Sequence, residues 1–251
     1  MDFIGIDIGS TAAKIAIIGD HEQFFVLPTG WSSVETVRSI RDKLIDSGVD
    51  LENAAVISTG YGRAVVDFAD KQVTEITCHA AGCAALCQDC TVIDVGGQDT
   101  KVINIKDGTV EDFLMNDKCS AGTGKFIEVM ANRLAISIDE LFTMAEQGEA
   151  VAISSLCTVF AESEVINHIG AGQKRENIAA GVVDSVAAKV AQLAKRLPLK
   201  EKIYLTGGLS HLPYFTKCLS AKLNHEVESM PNGRYAGALG AAYIARRKFA
   251  K

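Results

Sequence analysis

The chain has 251 residues, 48% of them hydrophobic and 22% charged, proportions of a globular protein that exclude disordered and fibrous classes. A chain of this length buries roughly 70–75% of its unfolded surface and folds without help from disulfides or metals, as one large domain or two compact ones. The net charge of −6 (25 basic against 31 acidic residues) has the wrong sign for a partner that binds phosphate backbone, so no nucleic acid is expected.

Met1-Asp2-Phe3-Ile4 lacks the basic start of a signal peptide, and no apolar run approaches the roughly 18 residues of a membrane span. A cytoplasmic location without membrane association is expected, with the seven cysteines as thiols or metal ligands rather than a disulfide framework.

In chain order, residues 3–6 and 15–18 read as strands on either side of a turn, and Gly19-Asp20 then turns the chain into a third strand. Ser32 or Ser33 caps a helix to residue 47 that puts Val34, Val37, Ile40, Leu44 and Ile45 on one face. Residues 54–58 form a strand ending in Thr59-Gly60-Tyr61-Gly62-Arg63, and residues 78–87 a helix with His79, read as a packing residue, at its start. Strand-like runs recur at 92–93 and 102–105, separated by a second turn and followed by Asp107-Gly108. Helices are expected over 123–133, 139–147 and 176–196, with Met130 and Met144 as core fillers. A strand over 202–206 ends in Gly207-Gly208, His211 caps the next helix, and an Ala/Gly-rich helix over 234–248 closes the chain. Strands mixed with helices define an α/β protein.

The first and second hairpins are copies. Asp7-Ile8-Gly9-Ser10-Thr11-Ala12-Ala13-Lys14 and Asp94-Val95-Gly96-Gly97-Gln98-Asp99-Thr100-Lys101 share an outline, with an offset of 87 residues at both the Asp and the Lys. The chemistry of these turns suits a polyphosphate. Glycine lets backbone N–H groups approach the oxygens, Ser10 and Thr11 add hydroxyls, and Lys14 adds a point charge. Asp7 and Asp94 are expected to hold Mg²⁺ through its waters, and Gln98 or Asp99 to position an attacking water. Thr206-Gly207-Gly208 offers backbone without bulk against an adenosine. Two phosphate turns followed by a late Gly-Gly resemble the actin, Hsp70 and sugar-kinase superfamily, which implies duplicated ribonuclease-H-like domains with a nucleotide cleft between them. The expected division is 1–90 with the helix 234–251 returning to it, and 91–233.

A further pair of segments runs from Asn116 through Cys119 to Phe126, and from Ser154 through Cys157 to Glu164, each cysteine shortly before a helix. Helix N-termini stabilise thiolates and anionic clusters. Two readings of the spacing stand: packing thiols, or ligands of a [4Fe–4S] centre that needs four thiolates and so a second chain.

These segments, together with Gly5 to Ala12, Thr59 to Arg63, residues 71–80, Thr206-Gly207-Gly208 and Gly237-Ala238-Leu239-Gly240, resemble the activators of 2-hydroxyacyl-CoA dehydratases (component A, or archerases), a family shared with the ATPase subunits of benzoyl-CoA reductase. The resemblance spans essentially the whole chain. It implies a homodimer with one [4Fe–4S] cluster ligated by Cys119 and Cys157 of both chains. It implies ATP hydrolysis that drives one electron from ferredoxin or flavodoxin to a dehydratase or, alternatively, a benzoyl-CoA-reductase-like partner. The implied ATP/ADP contacts are Gly9, Ser10, Thr11, Ala12, Ala13, Lys14, Gly96, Gly97, Gln98, Asp99, Gly122, Thr123, Gly124, Gly207 and Gly208. Arg234 joins them where the family carries a glutamine-like contact. Cys78 has a counterpart in the family, whereas Cys83, Cys87 and Cys90 do not. Their i, i+4, i+7 spacing puts them on one helix face, with a loop before residue 92 as the other place for Cys90, and they are read as packing. The rival readings are a small-molecule kinase, for which no sugar-binding aspartate stands out, and an actin-like scaffold, for which cluster cysteines would be superfluous.

Overall fold

The structure, a computed structural model, describes residues 1–19 and 21–250. Asp20 of the expected Gly19-Asp20 turn and Lys251 of the expected returning helix lie outside the described residues. The chain divides into one unit of Met1–Val92, Ile103–Asp112 and Asn232–Lys251, and a second of Ile93–Val102 and Phe113–Pro231.

The first sheet contains β1 (Phe3–Ile8), β2 (Ala12–Ile18), β3 (Gln23–Pro28), β4 (Ala55–Gly60) and β5 (Lys71–Gln72), in the order β3-β2-β1-β4-β5. The second contains β6 (Cys90–Val95), β7 (Thr100–Lys106), β8 (Thr109–Asn116), β9 (Ile203–Gly207) and β10 (Glu228–Ser229), in the order β10-β9-β6-β7-β8. Renumbering β6 to β10 as a second set of five gives the same order read from the other edge, so the duplication seen in two octapeptides governs both sheets.

Isoleucine and valine fill β1, β2 and β4 because these strands are covered on both faces. One face packs on α1 (Ser33–Asp46), capped by Ser32, whose Val37, Ile40 and Leu44 join Ile6, Ile8 and Ile15 in the core. Val34 and Ile45, expected on that face, are exposed, because they flank the apolar stripe at the outer turns of the helix. The other face is covered by α8 (Ala236–Phe249), preceded by a 3₁₀ turn over Gly233–Tyr235. Small residues let this helix approach closely: a side chain on Gly5 would enter the Ala238 carbonyl, and one on Gly240 would enter that of Cys78.

The helix α2 runs over Glu75–Ala84, capped by Thr74, which corrects the expected span of 78–87. His79 is therefore inside the helix and buried, not at its start. Cys83, Cys87 and Cys90 share no helical face: Cys83 is buried near the helix end, Cys87 lies in the following turn, and Cys90 opens β6, fully buried, rather than lying in a loop. The β-strand wins Cys90 because Val92, Ile93 and Val95 continue an apolar run that is buried throughout.

In the second unit α3 (Gly124–Arg133), α4 (Ile138–Gln147), α5 (Thr158–Gly170), α6 (Arg175–Ala194) and α7 (Pro213–Leu223) surround a core of Phe126, Met130, Leu141, Val183, Leu205 and Phe215. Met130 is buried and Met144 packs against this core at its edge. His211 does not cap α7: Leu212 is its N-cap, without a side-chain bond, and the His211 Nε2 lies 3.6 Å from Asp139 Oδ1. Pro213 at the first turn makes a cap less necessary, since it removes one of the orphan N–H groups. Among the described residues no helix is long and apolar enough to cross a membrane.

Candidate nucleotide site and cysteine segment

In the first unit β1 and β2 are antiparallel, with Asp7 opposite Lys14 and Ile8 opposite Ala13. The turn between them is closed by Gly9 N donating to Ala12 O at 3.2 Å and is tied down by Thr29 Oγ1 donating to Gly9 O at 2.7 Å. Lys14 Nζ lies over this turn, 3.1 Å from where a Cβ on Gly9 would stand. Thr11 is exposed and Ser10 half-buried, whereas Ala13 is buried in the core and offers no side-chain surface.

The parallel strand β4 places Thr59 beside Asp7 and Gly60 beside Ile8. Gly60 has φ +88°, and a Cβ there would stand 2.6 Å from Asp7 Oδ1; a Cβ on Gly237 would stand 2.9 Å from Asp7 Oδ2. The Asp7 carboxylate, 8% exposed, is thus flanked by two positions where only hydrogen fits. It forms no hydrogen bond or ion pair among the described residues.

The second turn repeats the construction. Gly96 N donates to Asp99 O at 2.9 Å, the bond that Gly9 makes with Ala12, each residue displaced by 87 positions. Gly207 has φ +87°, a Cβ there would stand 2.9 Å from Asp94 Oδ1, and Gly208 N donates to Val95 O at 3.1 Å as Gly62 N donates to Ile8 O at 3.0 Å. Thr206-Gly207 is therefore the second-copy form of Thr59-Gly60. Nothing stands within 4 Å of a Cβ on Gly208, so that side of the loop is open.

Of the two candidates for orienting water, Gln98 is exposed and Asp99 is buried against Lys101. Two backbone donors of the segment at 122–124 are taken up within the chain: Thr123 N bonds Ser120 O at 3.1 Å and Gly124 N bonds Gly96 O at 2.9 Å. Arg234 is exposed in its 3₁₀ turn in the first unit.

The two cysteine segments meet within the second unit. Asn116 Nδ2 donates to the carbonyls of Cys119 (2.9 Å) and Ala121 (3.1 Å), which fixes the loop from β8 to α3. Cys157 is the N-cap residue of α5. Cys119 Sγ approaches Leu156 O at 3.9 Å, and the Ser120 and Thr158 hydroxyls lie 2.7 Å apart. Both thiols are half-exposed, beside Leu156 (74% exposed), Val159 and Phe160 (both 65%). In contrast, burial pushes the thiols of Cys78 and Cys90 up to about 12.

The same loop joins the second phosphate turn. Gly124 N and Lys125 N, the first donors of α3, bond the carbonyls of Gly96 (2.9 Å) and Gly97 (2.8 Å), and Thr100 Oγ1 donates to Gly122 O at 2.6 Å. Sequence reasoning missed both this link and the Thr59-Gly60 repeat. The recurrence of Thr-Gly at a strand end was the available signal for the second.

Known proteins with this arrangement are close. The (R)-2-hydroxyglutaryl-CoA dehydratase activating ATPase of Acidaminococcus fermentans is 42% identical over 255 residues, covering 99% of this chain and 98% of that one. The crystal structure of that dehydratase's component A covers 100% of both chains at 40% identity with a TM-score of 0.94. The activator of 2-hydroxyisocaproyl-CoA dehydratase from Clostridium difficile, with bound ADPNP, covers 99% of this chain and 95% of that one at 37% identity with a TM-score of 0.90. A ROK family glucokinase from Streptomyces griseus, 14% identical with a TM-score of 0.64, covers 98% of this chain and 100% of that one and shares the fold alone. The fold is the actin/Hsp70/sugar-kinase-like α/β architecture. Residues 4–245 match the model of the BadF/BadG/BcrA/BcrD ATPase family, and this chain belongs to that family.

Proposed function

We propose that this protein is an ATP-hydrolysing activator of a 2-hydroxyacyl-CoA dehydratase-type enzyme. It acts as a homodimer that holds one [4Fe–4S] cluster through Cys119 and Cys157 of each chain. It takes one electron at a time from ferredoxin or flavodoxin and delivers it to the partner. The names of the relatives and the ADPNP bound by one of them support the reading.

On the nucleotide side, the Asp7 carboxylate is free of protein partners and sized by glycines on both flanks, which fits a hydrated Mg²⁺. Lys14 over the Gly9 turn meets the phosphates, Gln98 orients the attacking water, and the open Gly208 accepts the adenosine. Gly122 to Gly124 shape the second turn through the bonds described above rather than by donating to phosphate. On the cluster side, two half-exposed thiols, Cys157 at the start of α5 and Cys119 in the loop beside it, are half of a four-thiolate set, and a two-fold copy completes it. Leu156, Val159 and Phe160 give that copy an apolar surface to cover. When bound, the cluster supplies one-electron chemistry at low potential.

The observation that carries the reading is the hydrogen-bonded path inside the second unit. The Gly96-Gly97 carbonyls hold the start of α3, and Ser120, beside Cys119, meets Thr158, beside Cys157. A change at the phosphate turn therefore reaches both thiols over few bonds. The energy required is modest, about 2.3 kcal/mol for each 100 mV of one-electron potential.

The test is anaerobic purification with iron and sulfide analysis and light scattering. A brown dimer with about four irons per two chains is expected, bleached by Cys119→Ala or Cys157→Ala. A colourless wild type after cluster reconstitution, or a variant that stays brown, overturns the assignment.

A further inference from the structure

The two turns have the same backbone but different charges around their aspartates. In the second, Lys101 is 3% exposed, and its Nζ lies 2.8 Å from Asp99 Oδ2 and 3.4 Å from Asp94 Oδ2. Thr206 Oγ1 donates to Asp94 Oδ1 at 2.9 Å. Both oxygens of Asp94 are thus engaged by the chain itself. In the first turn Ala12 occupies the place of Asp99 and has nothing to hold an amine. Lys14, the counterpart of Lys101, lies half-buried over Gly9. Thr59 Oγ1, the counterpart of Thr206, is buried beside the Cys78 thiol and does not bond Asp7, which is left without a hydrogen-bond partner.

We propose that Lys101 is a positioning residue that reserves Asp94 for the internal architecture of its turn, leaving Asp7 as the aspartate of the two that reaches the hydrated magnesium of the nucleotide. The inference rests on the reading of these turns as a magnesium–nucleotide site. A carboxylate facing a buried ammonium has its charge partly compensated, here by one ammonium shared with Asp99, and a second cation drawn to Asp94 Oδ2 would stand against the ammonium in place there. Asp99 makes the difference between the copies. It anchors Lys101 at the shorter distance, so the ammonium stays buried, whereas Ala12 gives Lys14 no such anchor. Thr206 then sets the orientation of Asp94, and through it the end of β9 and the Gly207-Gly208 loop.

Mn²⁺, whose free form is counted by EPR, serves as the probe on ADP-loaded protein, and calorimetry of ADP binding in EDTA follows the nucleotide separately. Asp7→Asn is expected to weaken Mn²⁺ binding at least ten-fold, and Asp94→Asn less than three-fold. Lys101→Met combined with Asp99→Asn removes one charge of each sign, so the net charge of the cluster is unchanged and rests on Asp94 alone. This double variant releases Asp94 Oδ2 and is expected to tighten Mn²⁺ several-fold and to restore much of the affinity lost in Asp7→Asn. Lys101→Arg, which keeps the charge, leaves Mn²⁺ affinity unchanged and serves where the double variant fails to fold by circular dichroism. Equal losses in Asp7→Asn and Asp94→Asn, or a Lys101→Arg protein with Mn²⁺ affinity altered ten-fold, overturn the proposal while ADP binding persists. A wild type that binds no ADP in either condition removes the underlying nucleotide reading as well.

Discussion

Gly124 donates its backbone N–H to the carbonyl of Gly96 at 2.9 Å, which ties the first turn of α3 to the second phosphate turn five residues after Cys119. Proline is tolerated at the first position of a helix and lacks the donor. Gly124→Pro is therefore expected to keep α3, to cost more than the about 1 kcal/mol of the missing bond because its ring takes the place of the hydrogen facing Gly96 O, and to uncouple the thiols from the nucleotide. Alkylation rates of Cys119 in cluster-free protein, measured with and without ADP, check this. A nucleotide effect as large in the variant as in the wild type would refute the path.

Gly237 separates stability from activity. It lies within α8, where alanine is favoured over glycine by about 1 kcal/mol, yet a Cβ there stands 2.9 Å from Asp7 Oδ2 and 3.1 Å from His79 Nε2. Gly237→Ala is expected to leave the melting temperature within a few degrees of wild type and to lower ATP turnover at least ten-fold. Thermal unfolding and a steady-state phosphate-release assay decide it.

Gln98 is the exposed member of its turn, so Gln98→Ala is expected to lower kcat for ATP by about 10² while ADP affinity changes little. Comparable losses in kcat and ADP affinity would assign Gln98 to binding instead.

The buried thiols set an alkaline limit. Cys78 and Cys90 are raised from 9.0 to about 12 by burial, so the unfolded chain loses these protons first. Their protonated state stabilises the fold fully below about pH 9 and is lost progressively as pH rises toward 12, at about 1.4 kcal/mol per pH unit for each thiol. Urea unfolding between pH 9 and 11 is expected to follow that slope, and Cys78→Ala or Cys90→Ala to flatten it. Iodoacetamide at pH 8 should label Cys119 and Cys157 of cluster-free protein while sparing both buried thiols, and Cys83→Ala, Cys87→Ala and Cys90→Ala should leave the iron content of the reconstituted protein unchanged.

The octapeptide repeat was legible because a phosphate turn demands glycine and a terminal aspartate at set places, and both copies keep them. The cysteine segments were legible through resemblance, since two thiols 38 residues apart carry no spacing rule of their own. The helix at 78–87 was misplaced because Cys83, Cys87 and Cys90 have an acceptable helical period, while Thr74 as cap and the apolar strand at β6 compete for the same stretch.

The sequence by itself determined the α/β class and the pairing of Asp7 with Asp94 and of Lys14 with Lys101, since these follow from local residue type and spacing; of the two cysteines expected before helices, Cys157 is the N-cap of α5, whereas Cys119 lies in the loop before Thr123, the N-cap of α3. Tertiary structure decided the rest. Thr206 reaches Asp94 across 112 positions of chain, Gly60 and Gly237 shape the space around Asp7 from two other elements, and Lys101 is buried where Lys14 is not. Parallel strand neighbours and close helix packing bring together residues that share no local pattern. The same Asp–Lys motif therefore acquires one charge environment beside Asp99 and another beside Ala12.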